Sequence, residues 1–271
     1  MKTAVKRPQR RVTGTQSVER AFAMLAKVAA SNGVGTTLAE LARDLRLNRT
    51  TAYRLATCLS LEGAVRRDSG SGRYFLGSLA LELAMSAKRD LIIRDFFAPA
   101  LTRVAEATAD TAFLMVRSGN DAVCLDLRLG AYPVKAIVVD VGTRRPLGIG
   151  AGSLAILSRL SAAELHDVMQ SNADRLSAYG VSTDALSSTV GLARKKGYAS
   201  SPVQGVSNVT ALGVAILDTA DEPVAALSVT AIDERMTRAR QLQLARMIQD
   251  EVERVRPSWL NVWAQRTVPT A

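Results

Sequence analysis

At 271 residues, 48% of them apolar and 22% charged, the chain is long enough for one large or two smaller cored domains and too hydrophobic for a disordered one. Apolar runs such as TAFLMV and KAIVVDV are broken by charge within eight residues, which excludes a bilayer-spanning helix of about 20 residues. The net charge of +10 sits at one end: residues 1–77 hold 14 Lys and Arg against 5 Asp and Glu (+9), the rest 21 against 20 (+1).

Folding does not require such concentration, whereas a polyanion-binding module does, because each phosphate contact releases counterions. A solvated basic face with no partner is the bland alternative. Residues 1–13 read as a basic, flexible arm carrying Lys2, Lys6, Arg7, Arg10 and Arg11. They lack the apolar core of a secretory signal, so a cytoplasmic protein is expected. A first helix is predicted from a Ser17 cap, with Val18, Ala21, Phe22, Leu25, Val28 and Ala29 on its inner face and Asn32-Gly33 as its stop. Thr37 and Glu40 then form a capping box for a second, shorter helix ending at the turn DLRL, which buries Leu45 and Leu47.

Asn48 caps a third helix. At about 100° per residue, Ala52, Leu55, Ala56 and Leu59 share its core side. Thr50, Arg54 and Thr57 centre the opposite side, flanked by Thr51 and Tyr53, with Arg49 in the first turn. These groups donate to phosphates or read base edges, and no carboxylate stands among them. Beyond Gly63, two short strand-prone runs around Asp68–Gly72 predict a hairpin decorated by Arg66, Arg67 and Arg73. Three helices and a basic hairpin over 14–77 make a winged helix-turn-helix whose third helix enters the major groove of double-stranded DNA. Its DNA-binding set is Thr37, Arg49, Thr50, Thr51, Tyr53, Arg54, Thr57, Arg66, Arg67 and Arg73.

Residues 78–93 are predicted as an apolar linker helix that packs in a dimer, followed by a second domain over 94–271. A helix to about Ala109 leads into three strands, TAFLMVR, AVCLDLR and KAIVVDV. A helical block over 151–196 follows, then strands GYASS, TALGVAIL and PVAALSVTAI, and a last amphipathic helix from about Arg238 to Val255. Strands, helices and strands again describe an α+β sheet. GIGAGS, residues 148–153, precedes a helix and can offer Gly150, Ala151, Gly152 and Ser153 to a carboxylate or phosphate. Glycines that merely permit close helix–sheet packing are the alternative. A dinucleotide loop is disfavoured because Leu154 replaces the third glycine and no strand-helix-strand unit follows.

Cys58 and Cys124 have no partner at metal-ligand spacing, so both are expected as reduced core residues, and the single histidine, His166, is expected on a surface helix. With Asp121, Asp126, Asp140, Asp218 and Asp221 at strand ends and turns, no activated nucleophile is visible. No catalytic residue, metal site or cofactor is expected.

The stretches SVERAFAMLAKVA, TLAELARDLRLNRTTAYRLATCL and GRYFLGSLALELA resemble the N-terminal domain of the IclR family of bacterial transcriptional regulators. VGTRRPLGIGAGSLAIL, ARKKGYASS and PVAALSV extend the similarity from about Thr13 to Pro257. The resemblance implies a winged helix-turn-helix joined by a helix to a GAF-like effector-binding domain, assembly as dimers or tetramers, and operator contacts from Arg49, Thr50, Thr51, Tyr53 and Arg54. In that fold the loop YASSPVQGVSNVTALG faces the helix after GIGAGS, which nominates Ser201, Gln204, Asn208 and Thr210, with Ser228 on the neighbouring strand. Arg144 and Arg145 can draw an anionic ligand, an organic acid being the expected class, with plain surface charge as the alternative. A ligand-responsive repressor or activator is the function expected. A DNA-associated structural protein without sequence choice is the alternative, and an enzyme acting on a small acid the third reading.

Overall fold

The computed structural model describes residues 14–31, 33–86 and 88–267; the basic arm and Asn32 lie outside the described residues. Contacts divide the chain into two compact units, Met1–Ser86 and Ala87–Ala271.

In the first unit, α1 (Gln16–Ala29), α2 (Leu38–Asp44) and α3 (Arg49–Leu61) precede the antiparallel hairpin β1 (Val65–Arg67) and β2 (Tyr74–Leu76). Met24, Val28, Leu41, Ala52, Ala56, Leu59, Val65 and Tyr74 form the core. Helix α1 departs from expectation. It starts at Gln16 with Thr15 in the N-cap position, and Val18 and Phe22 are 54% and 67% exposed. Two residues turn a helix by about 200°, so once Met24 is inward Phe22 must point away. The capping box on α2 forms as expected, and Asn48 caps α3 by accepting the Thr51 N–H at 2.7 Å. Helix α4 follows at Ser78–Ser86 with Leu81, Leu83 and Met85 more than 60% exposed.

The second unit is a six-stranded antiparallel sheet, order β5-β4-β3-β8-β7-β6, with helices on both faces. Helix α5 (Lys88–Thr108) leads into β3 (Thr111–Ser118), β4 (Asp121–Arg128) and β5 (Arg144–Pro146). Then come α6 (Ala151–Arg159), α7 (Ala162–Ser177) and α8 (Thr183–Lys196), followed by β6 (Ala199–Pro202), β7 (Val209–Leu217), β8 (Pro223–Ile232) and α9 (Arg238–Thr267). One core joins α5 and α9 to the sheet, and the other joins α6, α7 and α8 to its opposite face.

Three expectations are corrected. KAIVVDV is not a strand: residues 135–141 run irregularly, with Ala136 buried and Val134, Ile137 and Val141 exposed. A turn at Gly142 (φ +85°), closed by the Thr143 N–H to the Asp140 carbonyl, leaves Gly142 and Thr143 joined to β4 only through Cys124, and the regular ladder with β4 starts at Arg144. The last helix continues twelve residues past Val255, through Pro257. A helix-interior proline costs about 3 kcal/mol, but the extension buries Trp259 and Trp263 against each other at 5.1 Å, with Trp259 edge-on to Phe97 at 5.8 Å. Each tryptophan buries roughly 150–250 Å², worth about 4–6 kcal/mol, so burial wins. Cys58 is exposed, because it lies on the outer side of α3, whereas Cys124 is buried and its thiol is pushed up to about 12, chiefly by burial. His166 is exposed on α7, as the sequence predicts.

A buried ionic clasp fixes where α5, β3 and α9 meet. Asp110, with 2% of its side chain exposed, accepts from Arg235 Nε at 3.0 Å and Arg240 Nη2 at 2.6 Å. Both guanidinium groups also donate to the Thr108 carbonyl, and Arg235 stacks on Tyr132 at 3.9 Å.

Candidate nucleic-acid interface and ligand cleft

The interface is built by local signals. The Leu47 N–H closes the turn onto the Ala42 carbonyl at 2.8 Å, with Arg46 left-handed at φ +52° between α2 and α3. Arg49, Thr50, Tyr53, Arg54 and Thr57 are exposed on α3, while Thr51 is half-buried beside the cap. No carboxylate interrupts that row, and among the described residues Arg46, Arg49 and Arg54 form no ion pair. Arg46 also faces solvent; its signal in the sequence was a lone basic residue in the helix-turn-helix turn.

The wing is stiffened by its own cross-strand pairs. Arg66 opposes Phe75 and stacks on its ring at 4.6 Å, and Arg67 opposes Tyr74 at 5.8 Å. Asp68 accepts from the Ser71 hydroxyl and N–H, which hold its carboxyl below the ordinary range and close the turn. Thr36 and Tyr74 exchange two backbone hydrogen bonds, at 3.0 and 2.8 Å, tying the wing to the start of α2. Gly35 (φ +73°) is needed there, since a Cβ would lie 2.6 Å from the Phe75 ring.

Three residues of the predicted set are engaged inside the unit: Arg67 Nε donates to the Gly72 carbonyl at 3.3 Å, and Arg73 and Thr37 are held more firmly. Arg73 donates to the Gly35 carbonyl at 2.9 Å and lies 3.8 Å from Glu40. The Thr37 hydroxyl serves the α2 cap, accepting the Glu40 N–H and donating to its carboxylate. The Thr37 N–H at 2.7 Å is the main cause holding Glu40 below the ordinary carboxylate range.

On the second unit, the turn before α6 uses Gly148 (φ +103°) and Gly150 (φ +85°) to aim the helix start at the sheet. No side chain caps α6. Ser153 is committed inward, accepting the Gly148 N–H at 2.8 Å and donating to the Pro146 carbonyl at 3.3 Å. A Cβ on Gly213 would meet the Ala151 carbonyl oxygen at 2.7 Å, and one on Gly152 would meet Met115 Cγ at 2.9 Å and Ser228 Oγ at 3.1 Å. Small residues therefore let the α6 start sit against β7, β8 and β3.

A narrow cleft opens there, lined by Gly150, Ala151, Gly152, Ser153 and Ser228 of the predicted set, and by Phe113, Met115, Arg145 and Thr230. Its interior of about 30 Å³ has room for little more than one water. The irregular 131–143 segment covers it, latched by Thr230 Oγ1 to the Ala136 carbonyl at 2.7 Å and by Arg145 Nη2 to the Val138 carbonyl at 2.8 Å. Arg144 turns away to Asp121 and Ser118. Ser201 Oγ and Gln204 Oε1 are buried without a hydrogen-bond partner. Thr210 Oγ1 donates instead to the Asp233 carboxylate at 2.6 Å, while Asn208, exposed and left-handed at φ +57°, accepts the Asp233 N–H at 2.9 Å through its backbone carbonyl. Thr230 was legible only as the next inward position of β8 after Ser228; Phe113 and Met115 read simply as core.

Residues 17–69 match the family described as IclR helix-turn-helix domain, and residues 85–256 match Bacterial transcriptional regulator IclR C-terminal. The chain is 27% identical over 244 residues to the acetate operon repressor of Salmonella typhimurium, covering 88% of each chain. It is 25% identical over 239 residues to the transcriptional repressor IclR of Escherichia coli, covering 86% of each. Among solved structures, an ICLR transcriptional regulator from Silicibacter superposes with a TM-score of 0.73 at 21% identity, over 90% of this chain and 96% of that one. An IclR homolog from Microbacterium hydrocarbonoxydans complexed with 4-hydroxybenzoate gives 0.71 at 19%, over 91% and 99%.

Proposed function

The chain belongs to the IclR family of bacterial transcriptional regulators, and from that premise we propose that the outer side of α3 reads a double-stranded operator while a small organic acid entering the α6 cleft alters that reading. One observation carries the first half: a row of guanidinium, hydroxyl and phenol groups without a carboxylate, within residues 1–77, which hold a net +9. Arg54 and Tyr53 are assigned to base edges. Arg66 and Arg67 are assigned to the phosphate backbone, with Arg46 beside them. In domain terms, 14–77 is the reading head, 78–93 the linker and 94–271 the effector domain. Val18 and Phe22 on α1, with Leu81, Leu83 and Met85 on α4, supply apolar surface for a second copy. A dimer would set two heads about 34 Å apart, or a multiple of it. We read the protein as a cytoplasmic regulator rather than an enzyme; no helix among the described residues is long and apolar enough to cross a membrane.

The effector class follows from Arg145 and the uncapped start of α6, which together favour a carboxylate. A relative in complex with 4-hydroxybenzoate belongs to the same chemical class. Because the cleft is closed and Arg145 is occupied by the Val138 carbonyl, an acid gains its contacts only by displacing the covering segment. Ligand binding thereby selects between two states of that segment, as any effector must.

Two measurements test this reading. A duplex selected by the wild-type protein should outcompete a scrambled one by about 10³ or more; equal competition would instead favour a structural DNA-binding role. In thermal-shift screening against benzoate, 4-hydroxybenzoate and short-chain acids, at least one should stabilise the wild type and fail to stabilise Arg145→Ala, which lacks the cation assigned to the carboxylate. If none does, the effector assignment fails.

The wing makes a separate prediction. Replacing Arg66 and Arg67 together by Ala should reduce the slope of log K against log salt by about 2, since each phosphate contact contributes about 0.9, with sequence preference unchanged. A slope equal to that of the wild type takes the wing off the backbone.

A further inference from the structure

A second cavity lies at the other end of α6, and it does not depend on the effector reading. Strand β6 pairs with β7 only as far as Ala199 opposite Gly213. From Val214 to Leu217 the outer edge of β7 has no strand beside it among the described residues. That gap is a cavity of about 260 Å³, floored by Ala155, Ala215 and Gly197 and rimmed by Arg159, Tyr198, Gln249 and Arg256. It is roomier as it stands than the cleft at the helix start, and just below the roughly 300–1,000 Å³ typical of small-ligand sites.

The chemistry of the rim is cationic. Arg159 is exposed and lies in the last turn of α6, and its side chain forms no ion pair or hydrogen bond among the described residues. Arg256 is three-quarters buried and held in place by the Leu217 and Asp218 carbonyls at 3.4 and 3.5 Å. Its carboxylate partners, Asp221 at 3.1 Å and Glu253 at 3.8 Å, are 82% and 69% exposed. Such solvated pairs contribute little, so an incoming oxyanion can take their place. Glu253 is the one acidic group on the rim and opposes a ligand from α9. An edge strand presents unpaired backbone donors, which add to the two guanidinium groups.

We propose that this cavity is a second ligand site, taking the oxyanion group of a compact metabolite between Arg159 and Arg256. The size admits a phosphate or a short dicarboxylate and excludes a nucleotide.

The test is titration calorimetry of the full chain with inorganic phosphate and, separately, with succinate, at fixed ionic strength. One of the two should bind with one equivalent per chain, and the arm that does identifies the oxyanion. Arg159→Ala should weaken that binding about tenfold or more. Arg246→Ala, which removes an exposed arginine of α9 outside the cavity, should leave it unchanged. Ala215→Leu, which fills the cavity without altering charge, should abolish it in a protein whose circular dichroism matches the wild type. Binding of neither ligand overturns the proposal. So does equal weakening by both arginine variants, the signature of diffuse attraction to a chain of net charge +10, or unchanged binding by a folded Ala215→Leu protein.

Discussion

Asp110→Ala should be among the most destabilising single substitutions in this chain, lowering the stability of the second unit by about 3 kcal/mol or more in urea unfolding. The carboxylate is the only acidic partner of both Arg235 and Arg240 among the described residues, and its removal leaves two cations facing each other across the Thr108 carbonyl. Breaking a buried pair from one side costs about 3–5 kcal/mol, because the remaining charge is stranded. The arginine side chains here are 26% and 22% exposed, so water recovers part of the loss and the lower end applies. Asp110→Asn keeps the shape and should fall between the two. A surface control within the same unit is Glu253, which is 69% exposed and lies 3.8 Å from Arg256; Glu253→Ala should cost far less, since such solvated pairs contribute little. Equal unfolding midpoints for the two variants would refute the clasp as a stability element.

Arg54→Ala should weaken operator binding by about 1–3 kcal/mol, or roughly 5- to 150-fold in Kd, while leaving the unfolding profile unchanged. Nothing inside the unit holds the Arg54 side chain: it is exposed and forms no ion pair among the described residues. Removing it therefore subtracts a contact to DNA and little else. Fluorescence anisotropy on a duplex enriched by the wild-type protein, at one salt concentration, checks this directly. Wild-type affinity in the variant would mean that α3 does not face the groove.

The two units were legible to different depths, for physical reasons. On α3 the signals are local: a cap, a 3.6-residue apolar period and a polar side that shares no residue with the core, so the exposed row could be read off directly. On α1 the same periodicity was ambiguous, because Val18 and Phe22 are as apolar as Met24 and nothing in the sequence says which arc meets α2 and α3. KAIVVDV has strand composition, but its place was decided by the distant Thr230 and Arg145, which bind its carbonyls over the cleft. Pro257 is a sound local stop signal, overridden by Trp259 and the Trp263 packed on it, and the Phe97 partner of Trp259 lies 162 residues away in sequence. In the cleft, the α6 start followed from its glycine content, and Ser228 from the resemblance to the family fold. Asn208 and Thr210 were equally plausible by composition, but the Thr210 hydroxyl is taken by Asp233 and neither residue lines the cleft. Arg73 and Thr37 carry DNA-binding chemistry, but a carbonyl and a helix cap claim them first.

The stacked wing has a thermodynamic consequence. Because Arg66 and Arg67 already rest on Phe75 and Tyr74 and the turn is cinched by Asp68, these side chains have surrendered much of their rotamer freedom before any duplex arrives. Freezing a loose arginine at an interface costs about 0.5–1.5 kcal/mol, and here most of that was spent when the hairpin folded. Association should then resemble rigid docking rather than coupled folding, with a small heat-capacity change for the wing's share of the contact.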